Sequence, residues 1–283
     1  MDTFEGPGHI EDLHGRRTYD HHFPHVNTLG DQRGHHMSEF AASVSWRWVV
    51  VGLPSAGNPS MRRHIMTSTK TTIKIPDTKL ASEAHDILRE YSTDLLYNHS
   101  NRVYFFAAEQ GRQQGLCFDS ELLYVSAAFH DLGLLREYSS ESERFEVDGA
   151  NAAKAFLISH GIPAETAHTA WEAIAFHTSP GVTQYMKPEV SLLFMGVGLD
   201  VVGNGLDRFP SELREQIVAD YPRENFNEDI AKAFFGGFAH KPASTWGTVM
   251  ADVCERFIPG YQNPNLCDLI ANSPFPNSAS AKN

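Results

Sequence analysis

DSELLYVSAAFHDLGLL, residues 119–135, decides the fold. Asp119 is a natural N-cap, because its carboxylate can accept the orphan N–H groups of a first helical turn. Tyr124, Val125, Ala127, Ala128 and Phe129 make the helix that follows almost wholly apolar. Gly133 helps to end it. His130 and Asp131 emerge where the apolar run stops, and a charged doublet leaving such a helix is costly unless it is paired or metal-bound. The alternative is that Asp131 caps the following turn through Gly133.

Outward from this stretch the pattern stays helical. Residues 78–91 place Leu80, Ala84, Ile87 and Leu88 at a spacing of three to four, the period of a helix with one buried face. Further helices are predicted over 95–114, 146–159, 164–176, 188–202, 211–221, 227–238 and 244–257. Residues 160–163, His-Gly-Ile-Pro, and 179–181, Ser-Pro-Gly, end two of them. The only β-branched run is at residues 71–75. The fold class is therefore all-α, with eight or nine helices around one core. Three regions follow: a disordered or spurious N-terminal extension over 1–65, a helical domain over 78–260, and an irregular tail over 261–283. Eight of the fifteen histidines fall in the first region. It reads as disorder, or as an extension ahead of a natural start at Met66, rather than as a metal-binding tail.

The bulk properties exclude several function classes. Lys plus Arg is 23 against 35 Asp plus Glu, a net charge of −12. An acidic chain with no long basic run argues against broad nucleic-acid binding. The three cysteines, Cys117, Cys254 and Cys267, are widely spaced and form no Cys-x-x-Cys. Neither a zinc ribbon nor a disulfide framework is indicated, and a reducing, cytoplasmic setting is expected. No run approaches the roughly 18 apolar residues of a membrane span. The apolar patch at residues 46–54, WRWVVVGLP, contains Arg47 and makes a poor signal peptide.

Two more apolar segments carry a polar residue of metal-binding type. His99 lies in YNHSNRVYFF (97–106), and Asp200 lies in GVGLDVVG (196–203). Taken singly, His99 reads as a satisfied core histidine, and Asp200 as a buried carboxylate bonded to a backbone N–H or to an arginine such as Arg208. Together with His130-Asp131 they form a set of two imidazoles and two carboxylates, each projecting from an apolar helix. Such a set can converge inside a bundle on one divalent ion.

His…His-Asp…Asp on successive helices resembles the HD-domain superfamily of metal-dependent hydrolases. YNHSNRVYFF, FHDLGLL, FEVDGA (145–150), AIAFH (173–177) and GLDVVG together resemble its fungal cyanamide hydratase branch. The resemblance covers about residues 78–260. It implies His99, His130, Asp131 and Asp200 as metal ligands and a divalent ion, zinc in that branch. Iron or manganese suits the same ligand set. It also bears on ion count, because two-iron HD proteins carry an extra ligand in a His-Pro-x-x-Gly segment. The corresponding position here is Phe145, which cannot ligate, so one ion is expected. Glu146 and Asp148 read as helix N-terminal carboxylates favoured by the dipole, with a cavity-facing role as the alternative. His177 falls in a slot where many HD proteins place a histidine that touches the substrate or a metal ligand; the alternative is a helix C-terminal histidine stabilised by the dipole.

The resemblance further implies hydration of cyanamide, or a related small nitrile-like substrate, to urea by a metal-bound hydroxide. His177 would supply the proton, and Asp131 would hold or accept the water proton. No Gly-x-Ser-x-Gly elbow is present. The glycines around Asp200 are not a phosphate loop and are expected to permit close packing or a turn. The competing enzyme class is an HD-type phosphohydrolase acting on a nucleotide or other phosphate ester. Phosphate recognition favours Arg or Lys near the ion. Near the motifs stand only Arg102, Arg136 and Arg144, each compatible with a surface position. A small-molecule substrate is the expected partner, with no nucleic acid and no membrane. Phe234, Phe235 and Phe238 permit a homo-oligomer surface or ordinary core packing.

Overall fold

The computed structural model describes residues 73–275. The expectation about residues 1–65 lies outside the described residues. Ten α-helices and no strand occur among the described residues. α1 (Lys79–Tyr91) opens on Thr78, whose hydroxyl accepts the Ala81 N–H at 3.1 Å. α2 (Asp94–Gln113) opens on Thr93 in the same way. α3 (Ser120–Phe129) opens on Asp119, which accepts the N–H groups of Glu121 and Leu122 at 2.9 and 3.0 Å. These bonds satisfy donors that a helix start leaves unpaired. α4 (Phe145–Ser159), α5 (Ala164–Ala175), α6 (Pro188–Val202), α7 (Ser211–Asp220) and α8 (Phe226–Phe238) follow. The short helices α9 (Ala251–Phe257) and α10 (Leu266–Ala271) complete the set. No helix of the described residues is long and apolar enough to cross a membrane.

α3 is the centre of the bundle. Every residue from Leu122 to Phe129 is buried, and the helix packs against α1, α2, α4, α5 and α6. Burying a Leu or Val side chain contributes about 1.5–3 kcal/mol, so Leu123 and Val125, both fully buried, anchor the core at the point where the His-Asp doublet leaves it. Two close approaches then set the site. A Cβ on Gly133 would stand 2.0 Å from the Phe145 carbonyl oxygen, so the start of α4 presses directly on the turn after the doublet. A Cβ on Gly196 would stand 2.5 Å from the Val103 carbonyl oxygen. Its absence lets α6 lie against the backbone of α2 and brings Asp200, one turn later, beside His99. The expected packing role of these glycines is met at Gly196.

A second apolar cluster joins Phe145 to Phe226, Ile230, Phe234 and Phe238. Phe234 and Phe238 are buried there, and the half-buried Phe235 stacks on Phe257 with ring centroids 5.3 Å apart. Phe234 and Phe238 are core, and Phe235 lies partly at the surface. The helix expected over 244–257 is split: Gly247 adopts φ 74°, and only Ala251–Phe257 is α-helical. Within the tail expected to be irregular, the Asn265 side chain accepts the Cys267 N–H and caps α10.

Candidate metal centre

Four of the residues singled out from sequence meet in the bundle interior. His99, on the second turn of α2, is 1% exposed; His130 is 0%, Asp131 3% and His177 3%. His99 Nε2 lies 3.2 Å from His130 Nε2 and 3.5 Å from Asp131 Oδ2, and the last two atoms are 3.4 Å apart. Ligand atoms about 2.1 Å from a shared ion stand about 3.0 Å apart at right angles and about 3.4 Å apart at tetrahedral angles. The triangle has the dimensions of one face of a coordination shell.

The proton inventory favours a cation at its centre. His99 Nδ1 donates to Asp200 Oδ2 at 2.7 Å, and His130 Nδ1 donates to the Ala127 carbonyl at 2.8 Å. In the neutral form of each imidazole the proton therefore sits on Nδ1, and Nε2 presents a lone pair. Burial pushes the His130 pKa down to about 3, so that ring is neutral at physiological pH. Both Asp131 oxygens are buried and accept no hydrogen bond, and its side chain caps nothing. Three acceptors thus face one another with no donor between them. An unpaired buried carboxylate is expensive, and a divalent ion removes that cost. His99, His130 and Asp131 could hold a metal ion.

His177 follows α5. Its Nδ1 donates to the Ile174 carbonyl at 2.6 Å, which turns Nε2 toward Asp131 Oδ1 at 3.7 Å. Its ring also meets Phe145 edge-on, with centroids 5.6 Å apart. Phe145 thus occupies the space beside the site with an apolar ring. Glu146 and Asp148 are in the first turn of α4 and buried, and both are engaged. Glu146 accepts from Arg144 and Thr178, and Asp148 pairs with the buried Lys241 at 2.5 Å.

Asp200 is placed differently from the other members of the set. It stands at His99 Nδ1, across the ring from the Nε2 triangle. Arg102 binds it with two donors at 2.9 and 2.8 Å, and Arg223 Nη1 binds it at 2.6 Å. Burial alone would raise its pKa, but bonds from His99 and Arg102 outweigh burial and hold it below the usual carboxylate range. The structure therefore does not bring Asp200 into the triangle; it places it as the group that orients His99. Its arginine partners are Arg102 and Arg223, not Arg208. Arg102, compatible from sequence with the surface, is 0% exposed.

The HD domain family matches this chain over residues 96–221, a span that contains all five residues. The match supports the HD-domain hydrolase superfamily and implies metal-dependent, hydrolase-type chemistry. No curated protein matches the chain.

Proposed function

We propose that this protein adds water to cyanamide, or to a related small nitrile-like substrate, using one divalent ion held by His99, His130 and Asp131. The observation that carries the reading is the donor-free triangle of two Nε2 lone pairs and an unpartnered carboxylate oxygen. When bound, a zinc ion lowers the pKa of a coordinated water to about 7 and acts as a Lewis acid.

The chain's own residues supply the rest. Asp200 fixes the His99 ring, and the Ala127 carbonyl fixes His130. His177 commits Nδ1 to the Ile174 carbonyl, which leaves Nε2 facing Asp131. It is positioned to take a proton from the attacking water and return it to the nitrile nitrogen. Oxygen joins the carbon, one water proton moves to nitrogen, and the isourea product tautomerises to urea. Nothing leaves, so no cation is required to neutralise a leaving group.

Two observations support a small neutral substrate. The triangle and His177 are at most 3% exposed, which suits a short linear molecule better than a nucleotide. Arg102 is committed to Asp200, Arg144 to Glu146 and Lys241 to Asp148, so these cations are not offered to a phosphate at the triangle. The test is urea release from cyanamide by full-length protein of measured metal content. The His130→Ala/Asp131→Ala variant should lose both the ion and the activity. His177→Gln should keep the ion and lose about 10²–10⁴-fold in kcat, the range for a proton-transfer group. Phosphate release from a nucleotide panel, with no urea from cyanamide, would overturn the reading in favour of a phosphohydrolase.

A further inference from the structure

We infer a second small-molecule site, on the side of Asp200 served by Arg223, that takes an organic carboxylate with a compact apolar body. A cavity of about 390 Å³ opens between α2, α6, α7 and the start of α8, a volume within the range of small-ligand pockets. Phe106, Leu199, Leu206 and Val218 line it, together with Arg214 and Arg223. Asp200 lines it too, so it begins one residue behind His99. Nothing in the proposed hydration chemistry uses it.

The two arginines point to the ligand class. Arg214 is half-buried, and its guanidinium has no hydrogen bond or ion pair among the described residues. A guanidinium left partly desolvated and unpaired is unfavourable until an anion joins it. Arg223 uses Nη1 twice, on the Asp200 carboxylate and carbonyl, and Nη2 once, on Asn227 Oδ1. Of its five donors, Nε–H and one Nη2–H remain. The cavity is lined by two arginines and one carboxylate, and that carboxylate is already paired with Arg102 and Arg223, in a chain whose net charge is −12. A local surplus of cations on an acidic protein focuses anions to this point. Arg–carboxylate pairing supplies strong, directional hydrogen bonds. Val218 lies four residues after Arg214 and shares its helix face, so the charged rim and the apolar wall belong to one element. An anion with an apolar body satisfies both; inorganic phosphate satisfies only the rim.

Benzoate is the probe, titrated calorimetrically into full-length, metal-loaded protein. We expect saturable one-to-one binding, weakened about tenfold or more by Arg214→Ala and lost in Val218→Trp, which fills the cavity. Both variants should keep the metal content and unfolding midpoint of the parent. Arg214→Ala alone decides the matter if the Trp variant does not fold. Inorganic phosphate should bind more weakly than benzoate. The inference is overturned if benzoate shows no saturable binding, if Arg214→Ala binds it unchanged, if phosphate binds better, or if binding disappears on chelation and so follows the metal instead. Because the readout is binding, it stands or falls separately from the hydration reading.

Discussion

Asp131 and Asp200 are both aspartates buried at the ends of apolar helices, and they are in opposite states. Asp131 has two acceptor oxygens and no donor. Asp200 receives His99, Arg102 and Arg223 on the same two oxygens. The difference separates two jobs that look alike in sequence. A carboxylate already saturated with cations has little left to give an ion, but it can hold a histidine in one tautomer. A carboxylate with no partner is where an ion lowers the free energy most.

The contrast predicts opposite stability effects. Asp200→Ala leaves the fully buried Arg102 without its counter-charge and should destabilise the fold by about 3–5 kcal/mol. Asp131→Ala in metal-free protein removes an unpaired buried charge and should cost little or even stabilise. Urea denaturation of the two variants after chelation checks this. Equal losses would remove the distinction between the two sites.

A smaller effect sharpens the same contrast. Asp200→Asn keeps the shape but weakens the grip on His99 Nδ1. It should lower metal affinity about 10–100-fold, as outer partners of metal-bound histidines typically do, without abolishing binding. A competition titration against a chelator reads this directly, and an unchanged affinity would mean that Asp200 does not support the site.

The smallest effect, counted per pH unit, is in acid sensitivity. The His130 pKa in the folded protein lies at about 3 because burial disfavours the charged ring, against about 6.5 in the unfolded chain. Between those values the unfolded state binds the extra proton. Stability of the metal-free protein should therefore fall as pH drops from about 6.5, by up to about 1.4 kcal/mol per unit. His130→Gln should flatten that part of the profile, measured as unfolding free energy between pH 7 and 4. A wild-type profile already flat there would contradict a buried neutral His130.

Much of this was legible from residue order. Asp119, the apolar helix after it and the His-Asp exit identify α3 and its polar end, because an apolar helix gives a charged doublet few options. His177 was legible only through the resemblance to HD proteins; from the residues alone it reads as a helix C-terminal histidine favoured by the dipole. The division between Asp131 and Asp200 was not legible, because it depends on partners far away in the chain. Arg102 reaches Asp200 across 98 residues, and Arg223 enters from the loop after α7. One local signal existed: Arg102 is three residues from His99 and so shares its buried helix face. Arg223 carried none. The splitting of the last long helix at Gly247 and the cap on α10 were missed because backbone turn geometry, not apolar period, decided them.

On the proposed reading, Asp131 holds the ion with His99 and His130, while Asp200 only supports it. The most direct measurement is the metal content of full-length wild-type, Asp131→Ala and Asp200→Asn proteins after equilibration with equimolar zinc and gel filtration. One ion per chain is expected in the wild type, none in Asp131→Ala, and retained binding in Asp200→Asn. A full complement of metal in Asp131→Ala, or none in the wild type, would contradict it.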